Sequence, residues 1–297
     1  MPTPVLFDRK LLLARRRRAL SLGAETFLLD RVAEELVERL AAVKRRFSLA
    51  LDFGTPGDAL AKALEASGQV GRVVTSDVSQ DHAGAAPQIV SDDEALSFGE
   101  ARFDLAVSAL SLQWVNDLPG TLLQIRRALK PDGLLLAALI GGETLHELRE
   151  SFAAAEAEIA GGASPRVSPF AEVRSLGALL QRAGYALPVI DADRHTVRYR
   201  DPFRLFQDLR RMGATNALSE RSRKPLTRKL IARAAEIHAE RFSDPDGRLR
   251  ATFDVLWISG WAPHDSQQQP LKPGSAKMRL ADALGTIEKP AGEKPRG

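Results

Sequence analysis

The sequence predicts an α/β fold: a doubly wound, mostly parallel sheet whose last strand is antiparallel, preceded by a basic helical arm and carrying a helical lid. Three observations predict it. Short apolar runs alternate with helical stretches, an order that builds a parallel sheet covered on both faces. Two of those runs end in an acid, Asp52 and Asp77, 25 residues apart. Such sheets bind ligands at the carboxyl ends of their strands, where the strand order reverses. Finally, the apolar stretch Ala251–Trp261 follows a charged helical excursion and reads as the antiparallel closing strand.

Taken in order, Phe27 to Phe47 carries apolar residues at helical spacing (Phe27, Leu28, Val32, Leu36, Leu40, Val43) and reads as an amphipathic helix. The apolar runs Ser48–Phe53, Arg72–Ser76, Phe103–Ala109 and Leu134–Ile140 read as strands, with a third strand expected just before Asp92. Helices are expected at Ala59–Ala66 and Leu118–Leu129, the second stopped by the turn Lys130-Pro131-Asp132-Gly133. Glu143–Ala160 and residues 170–184 continue the helical pattern, each closed by glycine. His195–Arg200 alternates polar and apolar residues, and Phe203–Met212 and Lys224–Phe242 form the charged excursion. From Pro263 on, five prolines, four glycines and three consecutive glutamines describe a tail with little core of its own. The expected division is therefore a basic arm over 1–46, an α/β domain over 47–265 with a lid at about 201–247, and a largely flexible tail over 266–297.

Of 297 residues none is cysteine, which excludes disulfides, zinc–thiolate sites and thiol catalysis by this chain. The longest apolar stretch, Leu134–Ile140, is of buried-strand length and too short to span a bilayer. Residues 1–46 hold eleven Lys/Arg against six Asp/Glu, a net of +5, and the remainder of the chain is at −1, so the basicity lies in the arm. Arg15 to Arg18 read either as a solvated helix face or as a surface for phosphate, an acidic carrier protein or a membrane, because clustered cations concentrate anionic partners. An early Asp8 and few hydroxyl residues argue against a mitochondrial leader, so the expectation is a bacterial cytoplasmic protein, with contact at the inner face of the membrane through the arm as the alternative.

The chemistry concentrates after the first strand, at Asp52-Phe53-Gly54-Thr55-Pro56-Gly57-Asp58. A ligand-binding loop of this type carries glycines at alternate positions because backbone without a Cβ turns tightly and brings its N–H groups close. Here only Gly54 falls in register; Pro56 removes a donor, and Asp58 is expected to place a charge toward the ligand's carboxylate. Asp77 is placed to accept from two ribose hydroxyls, or else to cap the next helix. Asp92 and Asp93 are placed to hold an adenine amino group. After the fourth strand, Trp114 either walls a cationic ligand or is core, while Gln113 and Asn116 are candidates to orient a substrate oxygen or nitrogen. Glu143 and His146, one turn apart, match a helix-borne iron spacing, but no second such pair exists and a solvated face is the expectation; no metal site is predicted.

Asp52-Phe53-Gly54, Asp92-Asp93-Glu94, Phe103-Asp104-Leu105, Ser108 through Leu118 and Leu129-Lys130-Pro131-Asp132-Gly133 resemble class I methyltransferases dependent on S-adenosyl-L-methionine (SAM). Phe7-Asp8-Arg9, Gly141 through Arg149, Ser168-Pro169-Phe170, Asp208-Leu209 with Met212-Gly213 and Asn216, Gly260-Trp261 and His264 through Gln267 narrow the resemblance to the methyltransferase-like assembly factors of respiratory complex I. A more distant likeness is to the malonyl-carrier-protein methyltransferases of biotin synthesis. The resemblance implies a Rossmann-like class I methyltransferase fold with a seven-stranded sheet, and SAM as cofactor. It implies cofactor contacts from Asp52, Gly54, Thr55, Gly57, Asp77, Val78, Asp92, Asp93 and Ser108, and catalytic roles for Gln113, Trp114 and Asn116. The activity it implies is modification of a protein arginine, by hydroxylation or methyl transfer, on an NADH dehydrogenase (complex I) subunit, with no nucleic-acid partner. The alternatives are methyl transfer to a carrier-protein or small-molecule carboxyl, and a non-catalytic assembly chaperone with a degenerate SAM site.

Overall fold

Strand β4 (Phe103–Ala109) is buried along its whole length, as a strand covered on both faces must be, and it lies mid-sheet in a computed structural model that describes residues 5–82, 87–268, 282 and 285–287. The other strands are β1 (Phe47–Phe53), β2 (Val70–Asp77), β3 (Gln88–Val90), β5 (Leu129–Ile140), β6 (Ala186–Tyr199) and β7 (Leu249–Trp261). The seven-stranded sheet has the order β3-β2-β1-β4-β5-β7-β6. β1 to β5 pair in parallel, and β7 runs antiparallel to both β5 and β6, as expected. The order reverses between β1 and β4, so their carboxyl ends open the crevice that can take a ligand.

Alternation along β5 divides the core. Leu134, Leu136, Ala138 and Ile140 face one side, with helices α2 (Phe27–Ala41), α3 (Ala59–Ala66), α5 (His146–Ala160), α7 (Pro202–Arg211) and α8 (Arg228–Phe242). Leu135, Ala137 and Leu139 face the other, with α4 (Leu118–Ala128) and α6 (Val173–Arg182). Local chemistry sets the ends. Asp117 accepts from Gly120 N–H at 3.0 Å to start α4, and Asp201 accepts from Phe203 and Arg204 N–H at 2.9 and 3.1 Å to start α7.

Several boundaries differ from the sequence reading for physical reasons. β5 begins at Leu129, before the expected turn, because its ladder resumes after an insertion: Phe103 pairs with Leu129 and Leu105 with Leu134, so Lys130–Gly133 is looped out, with Asp132 left-handed at φ 59°. β6 runs the full length Ala186–Tyr199, beyond the alternation at 195–200, since twelve of its residues find partners on β7.

Within the arm, helix α1 (Arg9–Ser21) is not a free surface. Asp8 caps it, accepting from Leu11 N–H at 3.0 Å, and the same carboxylate meets Arg221 at 3.2 Å. Phe7 bridges to Leu218 as a short antiparallel pair and packs in a small core with Leu12 and Ala217. Glu25 meets Arg211 at 3.2 Å. Arm and excursion therefore brace one another above the crevice. By contact the chain divides after Pro263; the described start of the second unit is a turn in which His264 N–H donates to Gln267 Oε1 at 3.3 Å.

Candidate active site

The end of β1 supplies the site's central anion. Asp52 is 1% exposed, and both of its carboxylate oxygens are buried, with the Thr55 hydroxyl beside them. Burial pushes it up to about 7; the Thr55 hydroxyl opposes this and the Asp77 charge adds to it. Burying a carboxylate in this way is costly unless a cation or further donors meet it. The following loop is pinned: Gly54 N–H donates to Ser76 O at 2.6 Å, and the Ala109 N–H donates to Thr55 Oγ1 at 2.9 Å. Gly54 is left-handed (φ 67°), and a Cβ there would collide with Ser111 Oγ, itself a buried atom without a partner.

The loop departs from the sequence reading in two respects. Gly57 also takes left-handed backbone (φ 79°), so the second flexible turn sits one residue beyond the expected position, and Pro56 is not asked to adopt it. Asp58 is engaged by a cation. It stands at the N-terminus of α3 with its carboxylate 2.7 Å from Lys62, one turn along the helix, and that pairing draws its charge away.

Asp77, also buried, accepts from Ser79 N–H at 3.3 Å. After β3 the two acids diverge. Asp92 turns outward to Arg9 on α1, at 2.7 Å, and this hydrogen bond holds it below the usual carboxylate range. Asp93 turns inward, where burial pushes it up to about 6 despite the Arg16 charge, with Asp77 adding to the rise. Asp77 thus adds to the rise at both Asp52 and Asp93, while Arg16 and Arg9 oppose it at Asp93, so three acids gather at the carboxyl ends of β1, β2 and β3.

Arg16 was hidden in the run Arg15–Arg18. It is 7% exposed and lies on the inward face of α1 with Leu12 and Ala19. The helical spacing of those three residues carried the signal that composition did not. Arg16 and Trp114 are shared by two cavities. One, of about 400 Å³, is lined by Val78, Asp92 and Asp93. The other, of about 200 Å³, reaches past Pro56 and Gly57 to Gln113, Leu110, Leu145 and Glu25. Leu110 and Leu145 hold left-handed backbone at φ 52° and 53°, a strain that a non-glycine residue adopts only when its surroundings impose it.

Two expected site residues have partners within the fold. Ser108 is fully buried, its hydroxyl donating to Phe53 O at 2.7 Å to tie β4 to β1. Asn116 is engaged with the arm, accepting from Phe7 N–H at 2.7 Å and donating to Phe7 O at 3.4 Å. Trp114 packs edge to face on Phe7 at 5.3 Å while presenting its other surface to the cavities. Gln113 donates to Leu110 O at 2.7 Å, and its Oε1 is buried without a partner. His146 faces Glu147 at 3.4 Å and Glu150 at 3.6 Å, not Glu143, and among the described residues no cluster of potential metal ligands is found.

The family profile of a methyltransferase domain matches residues 25–188. The chain is 38% identical to the mitochondrial arginine-hydroxylase NDUFAF5 of Danio rerio, over 93% of this chain and 89% of that protein. It is 30% identical to the malonyl-[acyl-carrier protein] O-methyltransferase of Halorhodospira halophila, over 88% of this chain and 92% of that one. Among solved structures, a protein of Bacillus halodurans assigned as a methyltransferase superposes with a TM-score of 0.54 at 16% identity, covering 78% of this chain and 99% of that one; the likeness is one of fold.

Proposed function

The chain belongs to the methyltransferase-domain family that includes the NDUFAF5 arginine-hydroxylases and the malonyl-[acyl-carrier protein] O-methyltransferases, and we propose that it modifies an arginine side chain of a protein, an NADH dehydrogenase (complex I) subunit, during assembly. It is an enzyme that uses SAM. The residues at the crevice fit that cofactor. The buried carboxylate of Asp52 would meet the ammonium group of its methionine end, and the backbone approach at Gly54 leaves room beside it. Asp77 and Asp93 offer acceptors to the hydroxyl and amino donors of its adenosine end. When bound, SAM supplies a methyl group made electrophilic by its sulfonium.

One observation carries the substrate reading: Gln113 Oε1, a buried acceptor without a donor, in a largely apolar cavity next to Pro56 and Gly57. A guanidinium brings planar N–H donors to such an acceptor. The bond from Gln113 to Leu110 O fixes the amide, and Trp114 presents an aromatic wall to a cation. The arm and the excursion shield the site from water, which strengthens these interactions. No described helix is long and apolar enough to cross a membrane. As part of the same proposal, the enzyme works in a bacterial cytoplasm, beside the inner face of the membrane.

Incubating the full chain with the subunit, isolated from cells lacking the enzyme, in the presence of SAM tests this. Tandem mass spectrometry should locate one changed arginine, and its mass distinguishes an added oxygen from an added methyl group. An unmodified subunit under conditions where the chain binds SAM would refute the reading.

A further inference from the structure

Outside the inner cavity lies a groove of about 850 Å³ that shares Trp114, Leu145 and Phe170 with it, so the groove is its approach. Its lining is one-signed. Arg15, Arg18, Arg166, Arg210, Arg221 and Arg223 contribute six guanidinium groups, and no Asp or Glu lines it. Arg166 is paired with Glu156 and Arg221 with Asp8, both from outside the groove. Among the described residues no acid forms an ion pair with the other four.

Two of those four are held in an arrangement that an anion would complete. Arg15 and Arg18 both donate to one neutral acceptor, Thr215 Oγ1, at 2.7 and 3.2 Å, and the Nε of each is buried without a partner. Burial lowers the pKa of both; the charges of Arg18 and Arg221 lower Arg15 further, and that of Arg210 lowers Arg18. Like charges gathered and partly desolvated, with the Asp8 charge offsetting those at Arg15 and Arg223 in part, are unfavourable in the free protein, and a carboxylate-bearing partner relieves that cost with forked, charge-assisted hydrogen bonds. Between the arginines the groove is apolar: Phe203 is 61% and Leu226 41% exposed, and Phe203 stacks edge to face on Phe206 at 6.1 Å. Exposed aromatic and aliphatic side chains interleaved with arginine are the composition of a protein-docking surface rather than of a solvated face.

We infer that this groove docks a segment of the protein substrate in which acidic residues alternate with apolar ones around the residue to be modified. The inference rests on the substrate being a protein, and it explains how a cationic target side chain passes a mouth lined with arginines. The acids of the segment neutralise the rim while its apolar residues cover Phe203 and Leu226.

The test uses the full chain and fluorescent peptides with one central arginine, flanked by Glu, Leu and Phe. Control peptides replace every Glu with Gln, replace every Glu with Lys, or keep Glu and lack Leu and Phe. Anisotropy should show the Glu peptide binding at least about tenfold more tightly than the Gln peptide, with a steep loss on adding salt. In the R210E/R223E variant, which alters exposed or half-buried positions, the Glu peptide should lose about tenfold or more and the Lys peptide should gain. SAM binding by calorimetry should be unchanged in that variant, which separates loss of the groove from loss of fold. Equal binding of Glu and Gln peptides, indifference to R210E/R223E, or equal binding of the peptide without Leu and Phe overturns the inference. So does capture of a carrier protein bearing a phosphopantetheine arm by a chain that ignores the Glu peptide. If the peptide docks as stated but no subunit arginine is ever modified, the proposed function fails and the groove stands. If the arginine is modified equally by wild type and R210E/R223E, the reverse holds.

Discussion

Asn116, in the segment after β4, grips the backbone of Phe7 from both sides, accepting from its N–H at 2.7 Å and donating to its carbonyl at 3.4 Å. The residue expected to touch substrate also latches the arm. Asn116→Ala should cost about 1–2 kcal/mol of stability. Amide exchange across Arg9–Ser21 should quicken by roughly tenfold, and SAM should be released faster. Lost activity with unchanged exchange in α1 would return Asn116 to a direct role at the substrate.

The two left-handed glycines of the loop should separate. Gly57→Ala meets open space and pays only the backbone strain, about 1–2 kcal/mol. Gly54→Ala adds a collision with Ser111 Oγ, so it should destabilise more and abolish SAM binding; G54A/S111G should recover the steric part alone. Pro56→Gly should change affinity by less than about threefold, because the turn already has its left-handed residue at Gly57. Denaturant midpoints and SAM titrations of these variants rank the effects, and equal losses for G54A and G57A would contradict the close approach.

Asp52 sets a pH dependence whose sign follows from its burial. Its folded value is raised from 3.8 to about 7, so the folded chain retains a proton that the unfolded chain loses. Stability from this group is intact below the lower value, falls as pH rises through the interval, and is level above about 7. Asp52→Asn, which cannot ionise, should therefore melt higher than wild type at about pH 8, on the order of 5 °C, with the gap closing at about pH 4. A gap that is constant with pH would mean Asp52 ionises normally in the fold.

The parts of this architecture that were legible were those written in local period. Ala59–Ala66 and Phe103–Ala109 fall where their apolar spacing puts them, and the strand-end acids Asp52 and Asp77 follow from the alternation. What was not legible depends on pairs far apart in sequence. Phe7 and Asn116 are 109 residues apart, and nothing in either stretch announces the other. Four consecutive arginines look alike in composition, yet the structure sends Arg16 to the crevice, Arg15 and Arg18 to the groove and Arg17 to Asp81 at 2.6 Å. The altered glycine loop could be seen as altered, but not that Gly57 supplies its turn or that Lys62 takes up Asp58, because both depend on where α3 begins. Glu25 carries no motif at all, and only the fold brings it to the site.

Calorimetric titration of the full chain with SAM, at about pH 6 and about pH 8, tests the crevice most directly. Asp52 must be ionised to meet the ligand's ammonium group, so wild type should bind at both values, more tightly at the higher, and release a proton on binding. Asp52→Asn should lose most of the affinity and all of the pH dependence. Absence of binding by wild type, or equal binding by wild type and Asp52→Asn at both values, would contradict the assignment of this crevice to SAM.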